Sequence, residues 1–124
     1  MDLLKTIFQI IIGLGLLNVW LVRPNKKTSF RGGGAENMKE EFAIYGLPAW
    51  FFWLAGILKV TSGVAMLLGI VIPALVLPAA ILISILMLGA VAMHFKVKDP
   101  VVKSLPALSM LAMAVFLTWT RLTT

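Results

Sequence analysis

The chain contains no cysteine, which excludes disulfides, thiolate metal sites and dithiol redox pairs. Charge is scarce too: Asp, Glu, Lys and Arg make up 13% of the 124 residues, about half the share of an ordinary soluble domain. Acids are scarcest, five against eleven basic residues, and there is one histidine. A single histidine cannot supply paired axial ligands for a b-type haem, and with no acid beside it in the sequence it suggests no zinc site. No serine or threonine has a His/Asp relay within reach in the pattern. These gaps argue against an enzyme acting alone, and neither haem nor metal is expected. A bound organic cofactor would bring its own chemistry.

What is abundant is apolar. Hydrophobic residues make up 60% of the chain and mean hydropathy is +1.01, which excludes disorder. The apolar residues come in four runs, about 3–22, 50–72, 75–95 and 105–122. Each is close to the roughly 20 residues a helix needs to cross about 30 Å of hydrocarbon. The expectation is all-α: a single integral membrane domain over 1–124, built as a four-helix bundle. The first run does not read as a removable leader, because Asp2 precedes it and Arg23, Lys26 and Lys27 follow it. Pro24 stops that run, Pro48 and Pro106 open the second and fourth, and Pro73 and Pro78 bracket the hairpin before the third. Trp20, Trp50, Trp53 and Phe95 fall at one membrane boundary and Trp119 at the other, as interfacial anchors do. The seven methionines read as packing rather than metal binding.

Four spans place both termini on one side. Lys5 and Arg121 are the basic residues of that side, whereas Arg23, Lys26, Lys27, Arg31, Lys39, Lys96, Lys98 and Lys103 flank the spans on the other. The positive-inside rule then places the long connection and the 96–104 loop in the cytoplasm and makes both termini non-cytoplasmic. The same arrangement accounts for the net charge of +6 without nucleic acid as a partner. The partner implied is the lipid bilayer. Glycines in the first two long helices (Gly13 and Gly15, then Gly56 and Gly63) would also suit a homodimer.

The connection from Arg23 to Ala49 is long for so compact a chain. Arg31-Gly32-Gly33-Gly34 reads as flexible, and glycines before a helix give a weak anion-binding signal. Residues Glu36 to Tyr45 read as a short amphipathic helix, with acids early, an apolar stripe at Met38, Phe42 and Tyr45, and Gly46 as the terminating glycine. This segment is either a plain connector or a lid that brings Glu40 or Glu41 to a cavity.

Lys59 is the most informative position. It lies about 14 Å into the second span at about 1.5 Å per residue, where a lysine costs about 2.5–3.5 kcal/mol on insertion scales. Its helical neighbours Gly56, Ser62 and Gly63 are small and mark a helix-packing face, so the ammonium should point inward. Asn18 and His94 occupy the same half of the membrane. The expectation is a cytoplasm-facing pocket of Lys59, Asn18 and His94, capped by Glu40 or Glu41 and ringed by Trp20, Trp50 and Phe51, for a small amphiphile such as a quinone or a lipid. The plain alternative is polar glue between helices, with Lys59 snorkelling toward the interface.

Leu47-Pro48-Ala49 and Leu105-Pro106-Ala107 hint at a duplicated hairpin. Several motifs then resemble the DoxX-like family of small four-helix membrane proteins. They are Glu40-Glu41-Phe42 running into Tyr45-Gly46-Leu47-Pro48; Leu54-Ala55-Gly56-Ile57-Leu58-Lys59 leading to Gly63 and Leu67-Leu68-Gly69; and Gly89-Ala90-Val91-Ala92-Met93-His94. The resemblance spans about Asn18 to Thr118 and implies a four-helix bundle in a bacterial inner membrane. It also implies a link to quinone-coupled redox chemistry, with redox subunits as partners and quinone as a cofactor. Chaperone-like relatives keep a non-catalytic scaffold open. A transporter is less favoured, because the prolines sit near span ends rather than at the midplane.

Overall fold

The computed structural model describes residues 2–22, 33, 35 and 37–123. Within them the chain forms five α-helices: α1 (Asp2–Leu17), α2 (Met38–Ile44), α3 (Ala49–Leu68), α4 (Val76–Lys96) and α5 (Leu105–Thr123). Four segments, Leu3–Leu21, Ala49–Leu68, Pro73–Lys96 and Val101–Thr123, are long and apolar enough to cross a membrane. The fold is the expected four-span bundle, with the short α2 in the connection after the first span.

Several boundaries differ from the sequence reading. The first span is α-helical only to Leu17 and continues as a π-helical turn, Asn18–Val22. The second span stops as a helix at Leu68, four residues short of Ile72, with Gly69 as its C-cap. Pro73 opens a 3-10 turn, Pro73–Leu75. Pro78 does not bracket this hairpin; it lies in the first turn of α4, where a missing N–H breaks no bond. A second 3-10 turn, Val101–Ser104, leads into α5.

One half of the bundle, toward the termini, is densely packed. Ile12 and Leu16 of α1, Met66 of α3, Ala79, Ala80, Ile83 and Met87 of α4, and Ala114 and Leu117 of α5 form its core. Small residues bring the helix axes close. A Cβ added at Gly13 would lie 2.5 Å from Leu67 Cγ and 3.0 Å from the Gly63 carbonyl oxygen, so α1 and α3 touch through backbone there. The other glycines considered for a homodimer also face neighbours within the chain: Gly15 meets Met110, Gly56 meets Trp20 and Gly63 meets Leu16. Their lack of a side chain therefore serves packing within the chain. Buried Gln9 donates to the Met66 carbonyl at 3.2 Å, tying α1 to α3 with a bond that is costly to lose in an apolar interior.

The other half is organised around aromatic rings. Trp20, Phe42, Phe52 and Ala55 form a second cluster, and here α2 lies across the ends of α3 and α4. Trp50, Trp53, Phe95 and Trp119 are largely exposed, as interfacial anchors require, but Trp20 is buried and belongs to the core.

Candidate functional site

The site begins with how α2 is held. Asn37 caps its N-terminus, accepting from the Glu40 N–H at 2.8 Å, the role for which a short amide side chain is favoured. At the other end the Leu47 N–H bonds to the Phe42 carbonyl and the Gly46 N–H to the Ala43 carbonyl. Gly46 adopts φ +79°. This paired-bond ending requires the left-handed region that glycine reaches at little cost. With both ends fixed, the buried face of α2 presents Phe42 and Tyr45 to the bundle. The side chain of Met38, third member of the expected stripe, lies outside the described residues.

Beneath α2, the walls of α3 and α4 enclose a cleft of about 300 Å³. Leu54, Leu58 and Lys59 line it from α3, Ile85, Leu86, Gly89, Ala90 and Met93 from α4, and Glu41, Phe42 and Tyr45 from α2. Two groups bring charge into an otherwise apolar wall. The Lys59 ammonium stands 5.4 Å from the centroid of the Trp20 ring and 6.0 Å from that of Phe42, within the reach of a cation–π attraction. Glu41 acts on Lys59 electrostatically, and its carboxylate accepts a 3.1 Å bond from the Tyr45 hydroxyl. Trp20 can back the ammonium because Gly56 leaves room for its ring; a Cβ there would be 2.7 Å from it. Phe52 and Phe42 fix the indole, with centroids 5.3 and 5.9 Å away.

A second polar cluster lies behind the lid, at the C-terminus of α4. The Asp99 N–H bonds to the His94 carbonyl and the Lys98 N–H to the Phe95 carbonyl, with Lys98 at φ 59°. That is the same helix ending as at Gly46, made here by a residue for which the left-handed region is strained. It turns the Asp99 carboxylate back onto His94 Nδ1, 2.8 Å away. The carboxylate also accepts from the Gly33 N–H at 3.0 and 3.2 Å, and Lys103 stands 3.7 Å from it. Burial alone would push the Asp99 carboxyl up; the bonds from His94 and Gly33 and the nearby Lys103 outweigh it and hold the carboxyl below its ordinary value of 3.8. Lys96 reaches from α4 to donate to the Tyr45 carbonyl at 2.7 Å, and the Tyr45 ring stands edge-on to His94.

The structure therefore brings together Lys59, Glu41 and Phe51 around the cleft, with Trp20 behind the ammonium. It leaves out Asn18, which is exposed at the start of the π-helical turn, and Glu40 and Trp50, which are also exposed. His94 is buried, but it faces Asp99 rather than the cavity. The premise that no acid accompanies His94 is thus corrected, although among the described residues no three metal-ligating side chains gather. Most of the Arg31–Gly34 run lies outside the described residues; within it, the Gly33 N–H is taken up by Asp99. Phe42, Tyr45 and Gly89 are cleft residues that the sequence reading did not assign to a pocket. For Phe42 and Tyr45 the apolar stripe was the available signal.

A model of the DoxX-like family matches residues 30–117, more than half of the chain. No curated protein and no solved structure matches it.

Proposed function

The chain belongs to the DoxX-like family and is a multi-pass membrane protein, and on that premise we propose that it binds a quinone-type amphiphile within the bilayer, as an accessory subunit of a membrane redox system. The observation that carries this reading is the placement of Lys59 and Glu41 on one apolar cleft. An ammonium donates to a carbonyl oxygen and a carboxylate accepts from a hydroxyl. The pair suits a head that interconverts between carbonyl and hydroxyl forms. An anionic head would be drawn to Lys59 but repelled by Glu41, so a neutral head is favoured. The rings of Phe42, Tyr45 and Phe51 offer faces and edges to a planar head, and Leu54, Leu58 and Ile85 offer an apolar bed to its chain. In this reading the α2 end, with Lys39, Lys96, Lys98 and Lys103, faces the cytoplasm of an inner membrane.

The test is a titration of the protein in nanodiscs with decyl-ubiquinone, following tryptophan emission in a variant with Trp50, Trp53 and Trp119 changed to Phe, so that Trp20 reports alone. Saturable quenching that weakens at least tenfold in Lys59→Met is expected. Quenching that never saturates, or that is the same with and without the ammonium, refutes the proposal. The almost wholly apolar wall also suits a non-catalytic lipid-binding scaffold; saturable binding of a fatty acid with no response to quinone would select that reading.

A further inference from the structure

The cleft is sealed unevenly. On its α2 side three interactions run to the end of α4 or just past it. Lys96 bonds to the Tyr45 carbonyl, the Tyr45 ring packs on His94, and Asp99, anchored on His94, holds the Gly33 N–H. Phe42 and Tyr45 are themselves buried, so this side is closed by packed rings as well as by bonds.

The seam between α3 and α4 is different. Leu54 on α3 and Ile85 on α4, both lining the cleft, are 42% and 60% exposed. Gly89, one turn along α4 from Ile85 and also lining the cleft, is exposed, and a Cβ added there would meet no atom within 4 Å. Gly89 lies about 10 Å from the end of α4, at about 1.5 Å per residue, well inside an apolar span. An opening at that depth faces acyl chains, not water.

We infer that the cleft is loaded sideways from the bilayer through the α3–α4 seam at Gly89, and that its ligand is a long-chain amphiphile whose head reaches Lys59 while its tail stays among the lipids. This rests on the amphiphile-binding reading above and adds the route and the chain requirement. A cavity of about 300 Å³ is at the small end of ligand sites, which run from roughly 300 to 1,000 Å³. It holds a ring and the first carbons of a chain, and the seam gives the rest of the tail a way out. Small-headed molecules without a tail have no such anchorage and would have to enter from water, where the lid is tied down.

The experiment uses the full chain in nanodiscs, in the background with Trp50, Trp53 and Trp119 changed to Phe, with Trp20 emission as the readout and decyl-ubiquinone and its tail-less analogue as probes, each concentration corrected for partitioning into lipid. Three results are expected. The decyl probe binds at least tenfold more tightly than the tail-less one. Gly89→Leu, whose Cβ has open space and whose side chain fills the mouth, weakens decyl binding at least tenfold while its thermal unfolding matches wild type; Leu54→Phe, narrowing the same mouth from α3, does likewise. Lys96→Met, which frees the lid, leaves the rate of decyl binding within about twofold. Unchanged binding in both mouth variants overturns the inference, as does equal affinity for the two probes or binding several-fold faster in Lys96→Met. Each of those results leaves saturable binding by wild type intact, and so leaves the proposed function standing. Absence of saturable binding by wild type would overturn both.

Discussion

Gly56 and Gly89 sit in the middle of transmembrane helices and differ in one respect, the space where a Cβ would go. At Gly56 an added methyl lies 2.7 and 2.9 Å from Trp20 ring carbons; at Gly89 it meets nothing within 4 Å. Carbon–carbon contacts are comfortable at about 3.5–4.0 Å, so Gly56→Ala forces the indole to retreat by roughly an ångström. The indole has little room to do so, held as it is by Phe52 and Phe42. Overpacking of this kind costs about 1–3 kcal/mol. Replacing a mid-helix glycine by alanine otherwise gains up to about 1 kcal/mol, and because both variants share that gain it cancels in the comparison. Gly56→Ala is therefore expected to be less stable than Gly89→Ala by about 1–3 kcal/mol. Unfolding in mixed micelles of rising SDS content, followed by far-UV circular dichroism, measures the difference. The emission of Trp20 in the single-tryptophan background should shift in the Gly56 variant and not in the other. If the two variants unfold within about 0.5 kcal/mol of each other, the tight seating of Trp20 against α3 is wrong, and with it the support assigned to the Lys59 ammonium.

Three other expectations follow from the helix ends. Lys98→Gly relieves the left-handed backbone strain at the end of α4 and should raise stability by about 0.5–1 kcal/mol, read from the same SDS titration. Asn37→Ala removes the α2 cap at a cost of about 1 kcal/mol, expressed locally as faster amide exchange in residues 40–45. The Asp99 carboxyl is held below its ordinary value, so its stabilising effect is complete above about pH 4–5 and is lost as pH falls through the lower folded value. Protection of the Gly33 amide should follow that course, and Asp99→Asn should abolish the acid-dependent change.

Much of the bundle was legible because the hydrocarbon core imposes length and composition on each span. The inward direction of Lys59 was legible in its small neighbours: Gly56, Ser62 and Gly63 are all buried. Asn18 was misjudged on depth alone. Ile12, Leu16 and Trp20 recur every fourth residue and are all buried, which puts Asn18, two residues past Leu16, on the opposite face. The partnership of His94 with Asp99 was hidden for another reason. It depends on a left-handed residue in the turn after α4, and such turns are usually announced by glycine, whereas here the residue is Lys98. The openness at Gly89 belongs to no local pattern, since it depends on what other helices place around that position.

The packing is polarised, with interlocked side chains in the half near the termini and a gap between α3 and α4 in the other. In mechanical terms the α3–α4 hairpin is a clothes-peg: its spring is the Gly69–Leu75 bend, and its jaws are exposed to the sideways squeeze of the surrounding membrane. That squeeze depends on the shapes of the lipids present. Changing the lipid shapes in the nanodisc is therefore expected to change how tightly the jaws hold what lies between them.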